Sequence, residues 1–489
     1  MKVLTRIVRL AVAMVFAGGL AWPPPGVAQT PGETETEATD PPLRAGRLAR
    51  IEGGVSFRAA AAETWQAGTV NFPLTAGNEL RVAPEGGAAI DISGSRIMLA
   101  GGTELRIDVL DVLTATMTQP RGEMFLRLAA LLPGESYTVR TPRGTVSISA
   151  AGRYGIAGGD AGAPTTVTVL DGSAQVNGAD FGSLVRAGQT LRIAGETRFT
   201  ASLGPAEPGA FLLAAAAEPL PGLPRDSLPA PAGVDYLPGA ADLLPYGVWQ
   251  AMPTYGTMWF PLVPQGWVPF RDGRWVYVAP WGWTWVDDAP WGFAPFHYGR
   301  WAYVGSRWGW VPYYQILPMP PPVFVPPVFV PPVYAPAVVS FIAPSPFIGW
   351  VPLGWREPFR PWYRASPAYL RRINRHWVPD VGRVTGLPAV PLNQLANRAA
   401  ATVVPPAAMA RSLQVAPQAR PLPPQEFSRL RTIPAPPVRP APGMAALTAP
   451  LGRPPGLAPA APRRLPPLAP PGAPGGPWMR GIPAPAAPP

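Results

Sequence analysis

The sequence contains no cysteine. Disulfides, thiol catalysis, Cys-ligated zinc and an N-terminal lipid-modified cysteine are all excluded by that absence. Histidine is nearly missing too: His297 and His376 lie far apart and without a metal-ligand pattern around them, so neither a metal nor a cofactor is expected. Each histidine reads as a polar side chain among aromatic neighbours. Lys2 is the one lysine, so a phosphate-cradling GxxxxGK loop cannot be written. Acidic residues thin out along the chain. Residues 31–240 carry 16 Arg against 22 Asp and Glu, residues 241–400 carry 12 against 6, and residues 401–489 carry 9 against 1. The formal net charge of +11 is therefore a property of the C-terminal half. No nucleic-acid-reading motif accompanies the charge, and arginine-only usage beside abundant Ala, Pro and Gly fits a GC-rich coding bias. Nucleic acid is not expected as a partner; an envelope protein or an anionic envelope polymer is.

Tryptophan is what the chain has in excess. Of 18 in the sequence, 14 fall between Trp249 and Trp362. Trp281, Trp283 and Trp285 alternate as on one face of a strand, and the surrounding Gly and Pro break any helical period. The stretch repeats itself. Gly256-Thr-Met-Trp259 leads to Gly266-Trp-Val-Pro269, Gly273-Arg-Trp275-Val-Tyr277-Val to Gly282-Trp-Thr-Trp285, and Gly299-Arg-Trp301-Ala-Tyr303-Val to Gly309-Trp-Val-Pro312. Each unit reads as a β-hairpin, and since a lone hairpin cannot bury its face, the units are expected to stack into one all-β body.

Taken in order, the chain opens with Lys2, Arg6 and Arg9 before an apolar run from Leu10 to Ala21 and Gly26-Val-Ala28. This is the pattern of a secretory signal peptide, residues 1–28, cleaved after Ala28, and it predicts a periplasmic or secreted protein without an integral span in the mature chain. An uncleaved anchor is the alternative. Residues 29–43 read as an acidic disordered spacer. Residues 44–200 hold eleven short alternating runs about ten residues apart, among them Glu104-Leu-Arg-Ile-Asp-Val and Thr165-Thr-Val-Thr-Val-Leu, which predict an all-β domain, either a sandwich or a short β-solenoid. Residues 201–245 read as an Ala/Pro-rich linker, with a strap packed through its leucines as the alternative. The Trp/Pro-rich repeat domain spans 246–378 and carries a proline insertion at 316–346. There the five-residue spacing of Phe324, Phe329 and Tyr334 does not match the three-residue turn of polyproline II, and an extended arm is expected. Residues 379–489 read as a disordered, basic Pro/Ala/Arg-rich tail, with a short helix around Leu392 to Ala401.

Leu74-Thr-Ala-Gly77-Asn-Glu-Leu-Arg81, Ala89-Ile-Asp-Ile-Ser-Gly94, Tyr137-Thr-Val-Arg-Thr141-Pro-Arg-Gly and Val169-Leu-Asp-Gly172 resemble the FecR-type periplasmic domain, and the likeness covers most of residues 47–195. The resemblance implies a periplasmic β-module. With nine residues ahead of the apolar segment, the part that engages a sigma factor in signalling FecR proteins is not expected to have a counterpart here. The GRWVY and GRWAY units, with Gly349-Trp-Val-Pro-Leu-Gly354 through Asn374, resemble an uncharacterised Trp/Pro-rich bacterial domain that follows FecR-type domains in exported proteins.

Catalytic constellations fail at this level. Neither histidine sits in a nucleophile-elbow motif, and the adjacent pair Asp287 and Asp288 reads as a hairpin connection whose carboxylates point apart, not as a glycosidase pair. A non-catalytic exported envelope protein with FecR-like and Trp-rich interaction modules is expected. A glycan-binding module, for peptidoglycan or polysaccharide, is the first alternative, and a periplasmic signalling partner of an outer-membrane protein the second. If the tryptophans stack on a ligand, the equivalent Gly-Trp positions Trp267, Trp283 and Trp310 are expected to line the groove, with Arg274, Arg300 and Arg307 supplying hydrogen bonds or charge.

Overall fold

Alternating apolar and polar residues between Gly-centred turns dictate strands with one buried face, and this is how the first half is built. Tyr137 and Val139 are buried while Arg140 between sheet and solvent is exposed. The computed structural model describes residues 40–59, 64–129, 131–220, 222–312, 331–378 and 389–441; the expected signal peptide, most of the acidic spacer, residues 316–330 of the proline insertion and residues 442–489 lie outside them.

From Gly46 to Pro205 eighteen strands form two nine-stranded sheets. Pairing is antiparallel except where Thr114–Arg121 runs parallel to Ser136–Thr141. Strand order in both sheets largely follows the chain, so the chain advances from one end of the stack to the other and changes sheet every one or two strands. The all-β expectation holds, as a sandwich with a solenoid-like progression. Leu48, Ile90, Leu126 and Val167 of one sheet belong to the same buried cluster as Met117, Val139, Val146 and Val176 of the other.

The segment expected as a linker is part of the fold. Thr200–Pro205 pairs with Gln189–Ala194. The helix Ala210–Ala217 buries Leu212 and Ala215 against Ala89, Met98 and Phe125, and Gly155 leaves the room that Leu212 fills. Val234, Leu237 and Leu243 are buried further along. Leucines and valines spaced among prolines were enough to lay this stretch on a surface that already existed, a long-range effect that local composition does not record.

The Trp-rich body contains three hairpins: Gly247–Met252 with Gly256–Pro261, Gly273–Val278 with Gly282–Asp287, and Arg300–Val304 with Arg307–Val311. The first and third share one four-stranded sheet. A five-stranded sheet follows, centred on Val339–Ile342 and Ile348–Pro352. Its other strands, Thr402–Val404, Arg420–Pro421 and Thr432–Ile433, come from the region expected as a disordered tail. Residues 389–441 thus fold, because Val403, Val404, Ala408, Met409 and Val415 find an apolar surface supplied by residues 270–350.

A single buried cluster runs from Ala45 through the sandwich and the Trp-rich body to Val415. Polar contacts tie the same junction. Asn71 Nδ2 donates to the Asp287 and Ala289 carbonyls (2.9 and 2.7 Å), and Arg47 meets Asp242 at 2.7 Å and the Pro290 carbonyl at 2.7 Å. Among the described residues no helix is long and apolar enough to cross a membrane.

Candidate functional site

The register of the hairpins decides which aromatic rings are core. Trp249 pairs with Trp259, Trp275 with Trp285 and Trp301 with Trp310, and none of these six exceeds 1 % exposure. Against each pair lies a glycine. A Cβ on Gly247, Gly273 or Gly299 would overlap the ring of Trp259, Trp285 or Trp310 respectively, which is why the repeat opens on glycine. This register also corrects the sequence repeat. The first unit begins at Gly247, since Gly256–Pro261 is its return strand; Gly266-Trp267 belongs to a turn, with Trp267 N–H donating to the Pro264 carbonyl. The aligned return strands are Thr257-Met-Trp259, Trp283-Thr-Trp285 and Trp308-Gly-Trp310, so Trp267, Trp283 and Trp310 are not equivalent.

A second aromatic pair lies on the same face nearer the hairpin tip: Tyr277 with Trp283, and Tyr303 with Trp308. In the second hairpin this pair is covered. Trp283 Nε1 donates to the Val438 carbonyl at 3.0 Å, and Trp362 Nε1 donates to the Trp283 carbonyl. In the third hairpin it is open, with Tyr303 59 % exposed. The tip there is a two-residue turn, Gly305-Ser306, both with positive φ (55° and 62°), the conformation that matches the twist of a tight hairpin.

The expected ligand-stacking residues therefore separate. Trp283 and Trp310 are buried, and so is Arg300, whose Nε donates to the Glu357 carbonyl at 2.9 Å and whose guanidinium lies 4.5 Å from the Trp377 ring centroid. Burial pulls the Arg300 pKa down to about 9. Arg274 is largely buried, 4.0 Å from the Asp288 carboxylate, with its pKa likewise lowered by burial. None of these four lines an open groove. Trp267 does. It packs at 5.8 and 5.5 Å on Trp291 and Trp301 and lines an open groove of about 960 Å³ together with Tyr303, Trp308, Gln265, Ser306 and Arg307. Arg307 is fixed in the wall by a 3.0 Å hydrogen bond to Gln250 Oε1 and by stacking on Phe260 at 4.6 Å. The missed residues, Tyr303 and Trp308, carried one legible signal: they flank the shortest turn of the repeat, and a tip pair beside a two-residue turn extends past the core.

The most strongly perturbed titratable groups of the Trp-rich body belong to the interior. Asp287 is buried and accepts from Trp285 Nε1 and Ala289 N–H, both at 3.0 Å, and burial pushes its pKa well above the carboxylate range. Asp288 is exposed and accepts from Gln414 Nε2, so the two carboxylates do point apart. His297 is fully buried, with Nδ1 2.8 Å from the Ala335 carbonyl. No group of three or more His, Cys, Asp or Glu placed to hold a metal occurs among the described residues.

Hairpins sharing paired tryptophans, set on a β-sandwich, define the class of protein. Residues 240–357, which span the three hairpins and reach the five-stranded sheet, match the model of a family described as of unknown function (DUF6600). No curated protein matches the chain. Among solved structures, two of a candidate anti-sigma factor from Parabacteroides distasonis ATCC 8503 are similar over 26 % of this chain, at 16 % and 15 % identity and a TM-score of 0.24. The similar region covers 60 % of that protein's length, and a likeness this slight carries no functional weight.

Proposed function

We propose that the protein is a non-catalytic, exported envelope protein whose Trp-rich body binds an extended glycan strand, peptidoglycan or another polysaccharide, in the groove between Trp267 and the Tyr303/Trp308 tip. The observation that carries this reading is that the tip pair is covered in the second hairpin and uncovered in the third. Sugar rings present C–H faces to aromatic rings and hydroxyls to their rims, and the groove offers three aromatic side chains with Gln265, Ser306 and Arg307 beside them. The shifted groups Asp287, His297 and Arg300 stand in the core behind main-chain partners, which favours a structural role for them over acid–base work.

Co-sedimentation of the full chain with purified sacculi, and titration with soluble glycan oligosaccharides followed by tryptophan fluorescence, test the reading. Retention is expected, and Tyr303→Ala with Trp308→Ala should weaken it about tenfold, the loss of two rings at roughly 0.5–1.5 kcal/mol each. A wild-type chain that neither sediments with sacculi nor responds to any oligosaccharide refutes it.

A further inference from the structure

A second cavity, of about 370 Å³, lies where the sandwich, the strap and the Trp-rich body meet, away from the aromatic groove. Its wall is chiefly apolar: Leu43, Val112, Leu113, Leu132 and Leu237, with Pro331 to Val333 closing one side. Its volume falls within the roughly 300–1,000 Å³ typical of small-molecule sites.

The charged residues that line this cavity are all arginines. Arg44 lines the wall, but it is neutralised from behind by the buried Glu135 carboxylate and held by the Tyr137 hydroxyl at 3.1 Å and the Asp111 carbonyl at 2.9 Å. Arg372 and Arg375, by contrast, are exposed, and no acidic residue lines the cavity. Both project from the end of the helix Pro367–Asn374, and that helix is fixed at each terminus. Ser366 Oγ accepts from Tyr369 N–H at 3.1 Å as an N-cap. Asn374 exchanges two hydrogen bonds with the Phe359 backbone, Oδ1 accepting at 2.6 Å and Nδ2 donating at 2.9 Å. The two cations are thus presented by an anchored element, not by a loose tail.

We propose that this cavity is a binding site for a single-chain anionic amphiphile, a long-chain alkyl carboxylate, with the alkyl chain among the leucines and the carboxylate on Arg372 and Arg375. Two features select that chemistry. Each methylene buried against Leu113, Leu132 or Leu237 adds apolar area removed from water, so a chain is favoured over a compact polar solute. Guanidinium groups at the mouth favour a carboxylate, which they grip by paired charge-assisted hydrogen bonds, and repel a cationic head.

Calorimetric titration of the full chain with dodecanoate, below its micelle concentration, tests the proposal, with dodecyltrimethylammonium as the cationic control. Saturable binding of one dodecanoate and none of the cation is expected. Arg372→Glu with Arg375→Glu touches only exposed side chains, and should weaken dodecanoate about tenfold while leaving thermal unfolding unchanged. Leu113→Trp, at a half-exposed wall position, should abolish binding by blocking the chain. Tyr303→Ala in the aromatic groove should leave it intact, which separates this site from glycan binding. Absence of saturable binding, equal binding of the cation, or dodecanoate affinity unchanged in the charge-reversed variant overturns the proposal.

Discussion

His297 shows how one side chain can set the acid limit of this fold. Its ring lies between Phe293 and Tyr334, at centroid distances of 4.5 and 4.8 Å. A carbonyl only accepts, so Nδ1 carries the proton facing Ala335, and Nε2, buried without a hydrogen-bond partner, must be the bare nitrogen. Burial depresses the pKa to about 3, against the roughly 6.5 of an unfolded histidine. The unfolded chain therefore binds a proton that the folded chain refuses. The stability tied to His297 is complete above the unfolded value and is lost as pH falls from about 6.5 towards 3, at about 1.4 kcal/mol per pH unit. Asp287, Asp272 and Glu357, whose pKa values are raised chiefly by burial, act with the opposite sign. The histidine contribution is isolated by His297→Gln, which keeps a donor for Ala335 but cannot titrate. Between pH 7.5 and 4.5 the wild type should lose roughly 2–3 kcal/mol more than the variant, measured by denaturant unfolding at both pH values. Equal losses would mean that the imidazole charges without cost and is not held as described.

At the scale of the element, the same strand pair serves as core or as surface depending on what covers its tip. The second hairpin depends on cover from the C-terminal segment, with Val415 N–H donating to the Gly273 carbonyl at 2.9 Å and Val438 receiving Trp283. Truncation after Ala401 removes Val403, Val404, Ala408, Met409 and Val415 from the core and unpairs the outer side of Ile348–Pro352. Several buried side chains at about 1.5–3 kcal/mol each approach the whole stability of a domain, so the truncated chain should unfold or aggregate. Limited proteolysis and circular dichroism decide it: a truncated chain as cooperative as the full one would show that 402–441 merely rests on the surface. This dependence was not legible in the sequence. Thr402–Val404 is three residues among prolines and alanines, and nothing local marks it as a strand; its partner is fifty residues away. The hairpins were legible because Gly-Arg-Trp-x-Tyr-Val writes period-two alternation and a turn in one short run. Their register was not, because Gly266-Trp-Val-Pro269 imitates Gly309-Trp-Val-Pro312 while sitting in a turn. That single slip placed Trp283 and Trp310 in a groove they do not reach, and left Tyr303 and Trp308 out.

For the whole molecule, four charges decide whether the two β bodies act as one. Arg47, Asp91 and Arg96 stand on sandwich strands, and Asp242 comes from the turn of 3-10 helix that leads into the first Trp hairpin. Arg96 reaches Asp91 at 2.7 Å and Asp242 at 3.0 Å, and Arg47 lies 3.7 Å from Asp91 and 2.7 Å from Asp242. Burial alone would lower the Arg96 pKa, but the two carboxylates outweigh it and raise it, so Arg96 stays charged inside the junction. Such a group adds little net energy against an apolar substitute, yet removing one member strands a buried charge. Asp242→Asn leaves the fully buried Arg47 with Asp91 as its nearest remaining anion, and should cost about 3–5 kcal/mol. Because the hydrophobic core is continuous across the junction, that cost should fall on the entire fold. Scanning calorimetry should show one cooperative transition for the wild type and one for the variant, several degrees lower. Two separate transitions in the wild type, only one of them moved by Asp242→Asn, would instead make the sandwich and the Trp-rich body independent units that touch without sharing stability.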